Sequence, residues 1–157
     1  MEPRLEDVDI NDTLKQTIGL LDNYARIHNI EIQTDLSSDL PIVASDQAQL
    51  QQVFLNLISN AIDAIGKEGR VLVTSLRAAD DILVQVTDNG PGIPEDTRKR
   101  VFDPFFTTKQ SGKGTGLGLW ISYSIIEKMG GSLSLSSRVG TGTTFTVKLP
   151  IVVPQKK

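Results

Sequence analysis

The chain has 157 residues, of which 39% are hydrophobic, with a formal net charge of -3 and no cysteine. This length suits a single domain built around one core. The lack of cysteine excludes disulfides and thiolate metal sites, and it favours a reducing compartment such as the cytoplasm. No apolar run approaches the roughly 20 residues of a membrane span, and an acidic chain is poorly suited to a nucleic-acid surface. We therefore expect a cytoplasmic domain with no nucleic-acid partner and no direct membrane contact.

The first half of the chain predicts two helices separated by two short strands. Apolar residues recur at helical spacing in the first helix, and Asn11 or Asp12 is placed to cap its start. The second helix begins at Asp46, which forms a plausible capping box with Gln49, and its wide apolar face ends at Gly66. The predicted elements are a helix over 11–28, strands over 30–36 and 41–44, and a helix over 46–65.

The second half of the chain alternates strands and helices around a glycine-rich stretch. Two neighbouring strands place Asp88 at a strand end, where the chain leaves the sheet. The helix that follows the glycine-rich stretch is expected to stop at Gly130 and Gly131. We take 1–150 as one domain and expect 151–157 to be a flexible tail. The predicted elements are strands over 70–77 and 82–87, a helical turn over 95–101, a loop over 102–115, a helix over 116–129 and strands over 132–137 and 143–149.

These elements predict an α/β fold. Each long helix has one apolar face, and the later strands form antiparallel hairpins, so helices and sheet can cover each other in two layers. We expect a two-layer α/β sandwich in which three helices cover one face of a mixed sheet.

Two asparagines interrupt the apolar second helix. Asn56 and Asn60 are four residues apart and therefore share one face of the helix. Asparagine is a mediocre helix former, and a buried amide without a partner costs a few kcal/mol. This face therefore needs something polar to bind.

Three further segments supply glycines and positive charge. They are Asp-Asn-Gly-Pro-Gly-Ile-Pro at 88–94, Phe-Asp-Pro-Phe-Phe-Thr-Thr-Lys at 102–109 and Gly-Lys-Gly-Thr-Gly-Leu-Gly-Leu at 112–119. In isolation the first is more often an ordinary turn, and basic residues such as Lys109 and Lys113 more often lie in a solvated loop. The glycine-rich segment matches neither the P-loop nor the dinucleotide-binding fingerprint. Together with the two asparagines, the three segments predict a site for a magnesium nucleotide.

In this order and at these separations, the four segments resemble the N, G1, F and G2 boxes of the catalytic ATP-binding domain of sensor histidine kinases, within the GHKL superfamily. The resemblance covers about 5–150 of the chain. It implies the Bergerat-type ATP-binding fold, ATP and Mg²⁺ as cofactors, and donation of the γ-phosphate to a histidine in a two-component phosphorelay. The implied partners are the dimerisation and phosphoacceptor domain of a longer parent kinase and, indirectly, a response regulator.

At the asparagine face, the resemblance implies that Asn60 is the magnesium ligand, because its side-chain carbonyl suits a hard cation. Asn56 is implied to hydrogen-bond phosphate or metal-bound water, and Asn56 and Lys109 are the expected catalytic residues. In hydrolases of the superfamily a glutamate at the position of Asn56 activates water, whereas an amide has no useful basicity. The amide therefore favours transfer to a positioned nucleophile over hydrolysis.

The resemblance also implies contacts to the base and to the phosphates. Asp88 would accept a hydrogen bond from the adenine amine, which guanine lacks at that ring position, so a preference for ATP follows. Glycines let the backbone approach the ligand, and free N–H groups at a helix start can bind phosphate. The expected base contacts are Asp88, Gly90, Gly92, Ile93 and Thr144, and the expected phosphate contacts are Lys109, Lys113, Gly114, Thr115, Gly116, Leu117 and Gly118.

Two residues depart from the family pattern. His28, the only histidine, lacks the acidic residue and proline that follow a phosphoacceptor histidine, so we interpret it as structural and expect the phosphoacceptor outside this chain. Asp63 stands where some family members carry a basic residue for phosphate, and its role stays open.

The alternative functions are a stand-alone ATPase or serine/threonine kinase of the superfamily, and a module that binds nucleotide without chemistry.

Overall fold

The structure is a computed structural model that describes residues 4–103 and 118–154. Within these two ranges, no helix combines the length and the hydropathy that a membrane crossing requires. The described elements, in chain order, are β1 (Glu6–Val8), α1 (Ile10–Ile27), β2 (Ile30–Leu36), β3 (Val43–Ser45), α2 (Gln47–Ile65), β4 (Gly69–Ala78), β5 (Asp81–Asp88), α3 (Glu95–Arg98), α4 (Gly118–Lys128), β6 (Ser132–Arg138) and β7 (Gly142–Pro150).

Five strands form one mixed sheet in the order β2-β4-β5-β7-β6. β2 and β4 run parallel, whereas the other neighbours are antiparallel. β1 and β3 pair separately as a short antiparallel ribbon. β5 is the central strand of the sheet, so the residue at its end lies between two hydrogen-bonded neighbours.

The long helices cover one face of this sheet. In β5 the side chains of Ile82, Val84 and Val86 are buried while the residues between them are partly exposed, as expected for a strand with one covered face. α2 places Phe54 in the centre of the core and packs against both α1 and α4. The two-layer α/β sandwich predicted from the sequence is confirmed.

The start of α1 differs from the prediction. Asp9 is the N-cap, and its side chain accepts a hydrogen bond from the Asp12 N–H at 3.1 Å. The cap is therefore neither Asn11 nor Asp12. Ile10 is fully buried, so the apolar face of the helix begins one residue before the predicted start.

α2 begins and ends as predicted. Asp46 is its N-cap and accepts a hydrogen bond from the Gln49 N–H at 3.0 Å. Asp46 also accepts from the Arg4 N–H at 2.8 Å, which holds the N-terminal segment against the start of the helix. The helix ends at Gly66, where φ is 79°.

Three other predicted segments need comment. β3 is Val43–Ser45 rather than 41–44, because its first residue pairs with the last residue of β1. Residues 104–117 lie outside the described residues, and with them most of the predicted loop over 102–115 and the first two residues of the predicted helix over 116–129. The segment 151–157, predicted to be flexible, begins with two backbone hydrogen bonds, from Ile151 N–H to Asp80 O at 2.9 Å and from Ala44 N–H to Val152 O at 2.7 Å.

Candidate functional site

The first part of the site is one face of α2, formed by Asn56, Asn60 and Ala64 at four-residue spacing and called the amide face below. Both asparagines are half-buried. Asn56 Nδ2 donates to the carbonyl oxygen of Gly118 at 3.4 Å and to Ser122 Oγ at 3.2 Å. Since both acceptors belong to α4, the amide face is turned toward the start of that helix. Asn56 therefore has partners within the protein, which the sequence pattern did not indicate.

The second part of the site is the segment that leaves β5, residues 88–93, called the β5 corner below. Asp88 is only 4% exposed. Its Oδ1 accepts from the Gly90 N–H at 2.9 Å, and the backbone N–H of Thr143 also bonds its carboxylate. Burial raises the pKa of Asp88, although these two N–H donors oppose the shift. A nearly buried carboxylate is thus held in place by main-chain groups at the end of the central strand.

Gly90 joins the two parts. A Cβ at this position would lie 3.0 Å from Asp88 Oδ1 and 3.3 Å from the carbonyl oxygen of Ala64. The β5 corner therefore packs directly on the last residue of the amide face. Asn60 lies one helical turn before Ala64 and one turn after Asn56. The two separately predicted motifs, on α2 and after β5, consequently form one site.

Gly92 fixes the other side of the β5 corner. Its φ is +80°, and a Cβ there would lie 2.3 Å from the carbonyl oxygen of Arg138. The Gly140 N–H donates to the carbonyl oxygen of Pro91 at 2.7 Å. The corner is therefore pressed against the turn between β6 and β7, where only a residue without a side chain fits.

The pairing of β5 with β7 decides which threonine shares the sheet face of Asp88. Asp88 is opposite Thr143, and Thr87 is opposite Thr144. Thr143 is 4% exposed, whereas Thr144 Oγ1 lies 3.0 Å from Thr87 Oγ1. Because side chains alternate along a strand, Thr144 lies on the face away from the helices. The base contact predicted at Thr144 thus lies on the sheet face opposite to Asp88, whereas Thr143 shares the face of Asp88.

Ser137, at the end of β6, was not identified from the sequence. Its hydroxyl accepts a hydrogen bond from the Ile93 N–H at 2.7 Å and lies 2.9 Å from Thr143 Oγ1. Its carbonyl oxygen accepts from Arg98 Nη1 at 3.1 Å. The residue links the β5 corner to β7, yet it lies in a strand with several serines, so its sequence position carries no distinguishing signal.

Seven phosphate contacts were predicted from the sequence. Six of them lie outside the described residues: Lys109, Lys113, Gly114, Thr115, Gly116 and Leu117. Gly118 is the first residue of α4, and its carbonyl oxygen accepts from Asn56. Of the aromatic residues in the segment 102–109, Phe102 is described, and its ring centroid lies 5.3 Å from that of Tyr123 and 6.3 Å from that of Phe145. It packs between α4 and β7.

Asp63 and His28 both contact α1. The hydroxyl of Tyr24 donates to Asp63 Oδ1 at 2.5 Å, and this hydrogen bond raises the pKa of Tyr24 to about 12. His28 is the C-cap of α1, and its Nδ1 lies 2.7 Å from the carbonyl oxygen of Tyr24. Asp63 thus connects α2 to α1 through Tyr24.

An open groove of about 680 Å³ lies over the end of the sheet. Leu72, Thr87 and Thr144 belong to its lining, together with Arg70 and Arg138. These three strand residues are register partners on the face away from the helices. The lining also includes Asp88, Ser137 and Thr143, so the groove reaches from the open face of the sheet to the β5 corner.

Sequence comparison identifies the family. Residues 45–153 match the family described as histidine kinase-, DNA gyrase B-, and HSP90-like ATPase. The chain is 39% identical to sporulation kinase E of Bacillus subtilis over 148 residues, 93% of this chain and 20% of that protein. It is 38% identical to sensor histidine kinase ZraS of Escherichia coli K12 over 152 residues, 97% of this chain and 32% of that protein. The chain belongs to this ATPase family, and it spans between a fifth and a third of the length of these two relatives.

The fold is shared with solved histidine kinases. The catalytic domain of ThkA matches with a TM-score of 0.86 and 32% identity, over 95% of this chain and 97% of that domain. Full-length ShkA in complex with AMPPNP matches with a TM-score of 0.89 and 32% identity, over 99% of this chain and 33% of that protein. The family and the fold implied by the four sequence motifs are both confirmed.

Proposed function

We propose that this chain is the catalytic ATP-binding domain of a two-component sensor histidine kinase. It binds Mg-ATP and presents the γ-phosphate to a histidine on a separate dimerisation domain. The observation that carries the proposal is the close packing of Gly90 on Ala64, which unites the β5 corner and the amide face in one site. The names of the curated relatives as kinases support it.

The base binds at the β5 corner. The Asp88 carboxylate accepts a hydrogen bond from the exocyclic amine of adenine, and Ile93 gives the ring an apolar contact. Guanine carries a carbonyl oxygen at that ring position, so two acceptors would face each other without a proton between them. In a buried site this mismatch is costly because neither oxygen can turn to water. ATP is therefore preferred over GTP.

Magnesium binds at the amide face, with Asn60 as the protein ligand. An amide oxygen is a hard donor, and Mg²⁺ reserves most of its octahedron for phosphate oxygens and water. Asp88 is less suited to this role because the N–H groups of Gly90 and Thr143 already bond its carboxylate. A bound ion at this face neutralises phosphate charge.

Asn56 orients the phosphates and does not act as a base. Its Nδ2 donates to α4, so its carbonyl oxygen remains as the acceptor for a metal-bound water. Without a base at this position, rate enhancement comes from positioning and electrostatic stabilisation. Lys109 and Lys113 supply the positive charge in this proposal, although they lie outside the described residues.

The partner domains follow from the same scheme. A dimerisation domain supplies the phosphoacceptor histidine, and a response regulator receives the phosphoryl group from it. The complex of ThkA with the response regulator TrrA has a TM-score of 0.83 and 28% identity, over 96% of this chain and 42% of that chain, which supports a regulator as an indirect partner here. We place the activity in the cytoplasm, with no role for nucleic acid.

A transfer assay in trans tests the proposal. The purified chain, mixed with dimerisation fragments of related kinases and labelled ATP, should place an acid-labile phosphate on the fragment's histidine. The His28→Gln variant should transfer equally well, and Asn60→Ala should not transfer. Label on this chain that is lost in His28→Gln would contradict the separate acceptor. Rapid hydrolysis without any fragment would instead favour an ATP-driven machine of the superfamily.

A further inference from the structure

The hydroxyl of Ser137 has three partners at hydrogen-bonding distance. It accepts from the Ile93 N–H at 2.7 Å, and it lies 2.9 Å from the carbonyl oxygen of Gly142 and 2.9 Å from Thr143 Oγ1. A serine hydroxyl has one proton and two lone pairs. The three partners therefore use its full capacity.

Counting protons assigns the direction of each bond. A carbonyl oxygen can only accept, so the short contact between Ser137 and Gly142 requires the serine proton between the two oxygens. One lone pair of Ser137 is occupied by the Ile93 N–H. The contact with Thr143 is then possible only if the Thr143 hydroxyl donates its proton to the remaining lone pair.

This arrangement fixes the polarity of Thr143. Its proton points to Ser137, and only lone pairs are left for a ligand. Thr143 lies opposite Asp88 on the same sheet face, and the Asp88 carboxylate is also an acceptor. We infer that Ser137 is a positioning residue for base selection, because it holds the Thr143 hydroxyl as a second acceptor that favours an amine and repels a carbonyl. The inference rests on the proposed binding of ATP at the β5 corner.

Loss of the serine hydroxyl should relax the choice of base. In Ser137→Ala the Thr143 hydroxyl can rotate and donate to a carbonyl oxygen. ITP is the suitable probe, since its base differs from adenine by a carbonyl at the position of the amine. We expect the ratio of ATP affinity to ITP affinity to fall by about fivefold, the effect of one net hydrogen bond. Calorimetry with both nucleotides and Mg²⁺ measures the ratio.

Three matched variants separate this role from simple support of the fold. Ser136→Ala removes the neighbouring hydroxyl, which lies on the opposite face of the sheet, and should keep the wild-type ratio. Ser137→Thr retains a hydroxyl and should also keep it. Thr143→Val should lower the ratio, and adding Ser137→Ala to it should cause no further change, because the hydroxyl whose polarity Ser137 controls is already gone.

The outcomes distinguish this inference from the proposed function. Equal losses of affinity for ATP and ITP in Ser137→Ala, with the ratio unchanged, would overturn the role of Ser137 in base selection while leaving ATP binding intact. A wild-type chain that binds neither nucleotide would refute the proposed function and this inference together. If circular dichroism shows that Ser137→Ala does not fold, Ser137→Cys replaces it. A thiol is a much weaker acceptor than a hydroxyl, so the ratio of ATP affinity to ITP affinity should fall in this variant too.

Discussion

The β5 corner and the amide face of α2 meet at one site but are built in different ways. The corner is shaped by the backbone: a Cβ at Gly92 would clash with Arg138, a Cβ at Gly90 would lie tightly against Asp88 and Ala64, and main-chain N–H groups hold the Asp88 carboxylate. The amide face is shaped by side chains, because Asn56 reaches across to α4 and bonds Ser122 there. The β5 corner thus depends on glycines that lack a side chain, and the amide face depends on asparagine side chains.

This difference predicts how each half responds to substitution. A backbone-built corner cannot accept an added methyl group without moving β6 or α2, so small changes should have large structural effects. A face built from side chains keeps its fold when an amide is removed, and it should lose ligand binding instead. The predictions below test this contrast, from the largest expected effect to the smallest.

The largest effect is expected at Gly92. In Gly92→Ala the new Cβ would lie 2.3 Å from the carbonyl oxygen of Arg138, at a φ of +80°. Gly140 is the matched control, since its φ is +86° and nothing lies within 4 Å of an added Cβ. Gly140→Ala should cost about 1–2 kcal/mol of left-handed strain, and Gly92→Ala about 2 kcal/mol more from the clash. Urea unfolding measures the free energy of unfolding of both variants. Equal losses would mean that the β5 corner moves to accommodate the added Cβ at little cost.

Removing a polar anchor from either half should abolish the stabilisation by nucleotide. A ligand at a hundredfold excess over its Kd stabilises the folded state by about 2.7 kcal/mol. Asn60→Ala and Asp88→Asn should both lose this gain in a thermal-shift assay with Mg-ATP. Asn60→Ala should leave the ligand-free protein folded, because it removes a half-buried amide and no buried apolar side chain. A variant that retains the wild-type shift would remove its residue from the site.

A smaller effect is expected where the amide face meets α4. Ser122 is fully buried and its hydroxyl accepts from Asn56 Nδ2, so Ser122→Ala should cost about 1 kcal/mol of stability and about fivefold in Mg-ATP affinity. Ser59 Oγ donates to the backbone oxygen of Asn56 at 3.2 Å and therefore does not anchor its side-chain amide. Ser59→Ala should therefore leave the Mg-ATP affinity unchanged. If Ser59→Ala and Ser122→Ala lower this affinity equally, the loss in Ser122→Ala does not come from its bond to the Asn56 side chain.

The smallest effect is expected at the link between α1 and α2. Tyr24→Phe removes the hydrogen bond to Asp63, which is exposed and should contribute about 0.5 kcal/mol, and Mg-ATP affinity should stay unchanged. The bond raises the pKa of Tyr24 from 10.0 to about 12. Its stabilisation is therefore complete below pH 10 and is lost as the pH rises through about 12. The stability advantage of the wild-type chain over Tyr24→Phe should be constant up to about pH 10 and shrink from there to about pH 12. A difference that stays constant over this range would contradict the role of Asp63 in this link.

Local chemistry made much of the site predictable. The α2 cap at Asp46, the glycine stop at Gly66 and the paired amides each depend on spacings within one element. The cap of α1 differs from the prediction although it is local, because the buried face of the helix begins at Ile10, one residue before the predicted start, and Asp9 precedes it. Such errors of one residue matter little for a helix, whose face turns gradually along the chain.

In a strand, a shift of one residue reverses the face on which a side chain lies. The sequence by itself determined the family, through four motifs in order along the chain, and the two-layer fold, through the apolar patterns of its helices and strands. It also singled out Asn56, Asn60 and Asp88 as candidate site residues from their local motifs. Only the tertiary structure decided that Thr143 rather than Thr144 shares the face of Asp88, since that depends on the register of β5 with β7. The bonds of Ser137 to the β5 corner and of Asn56 to α4 were likewise decided by packing between elements distant in the chain. No spacing within one segment can specify a partner that a different segment supplies.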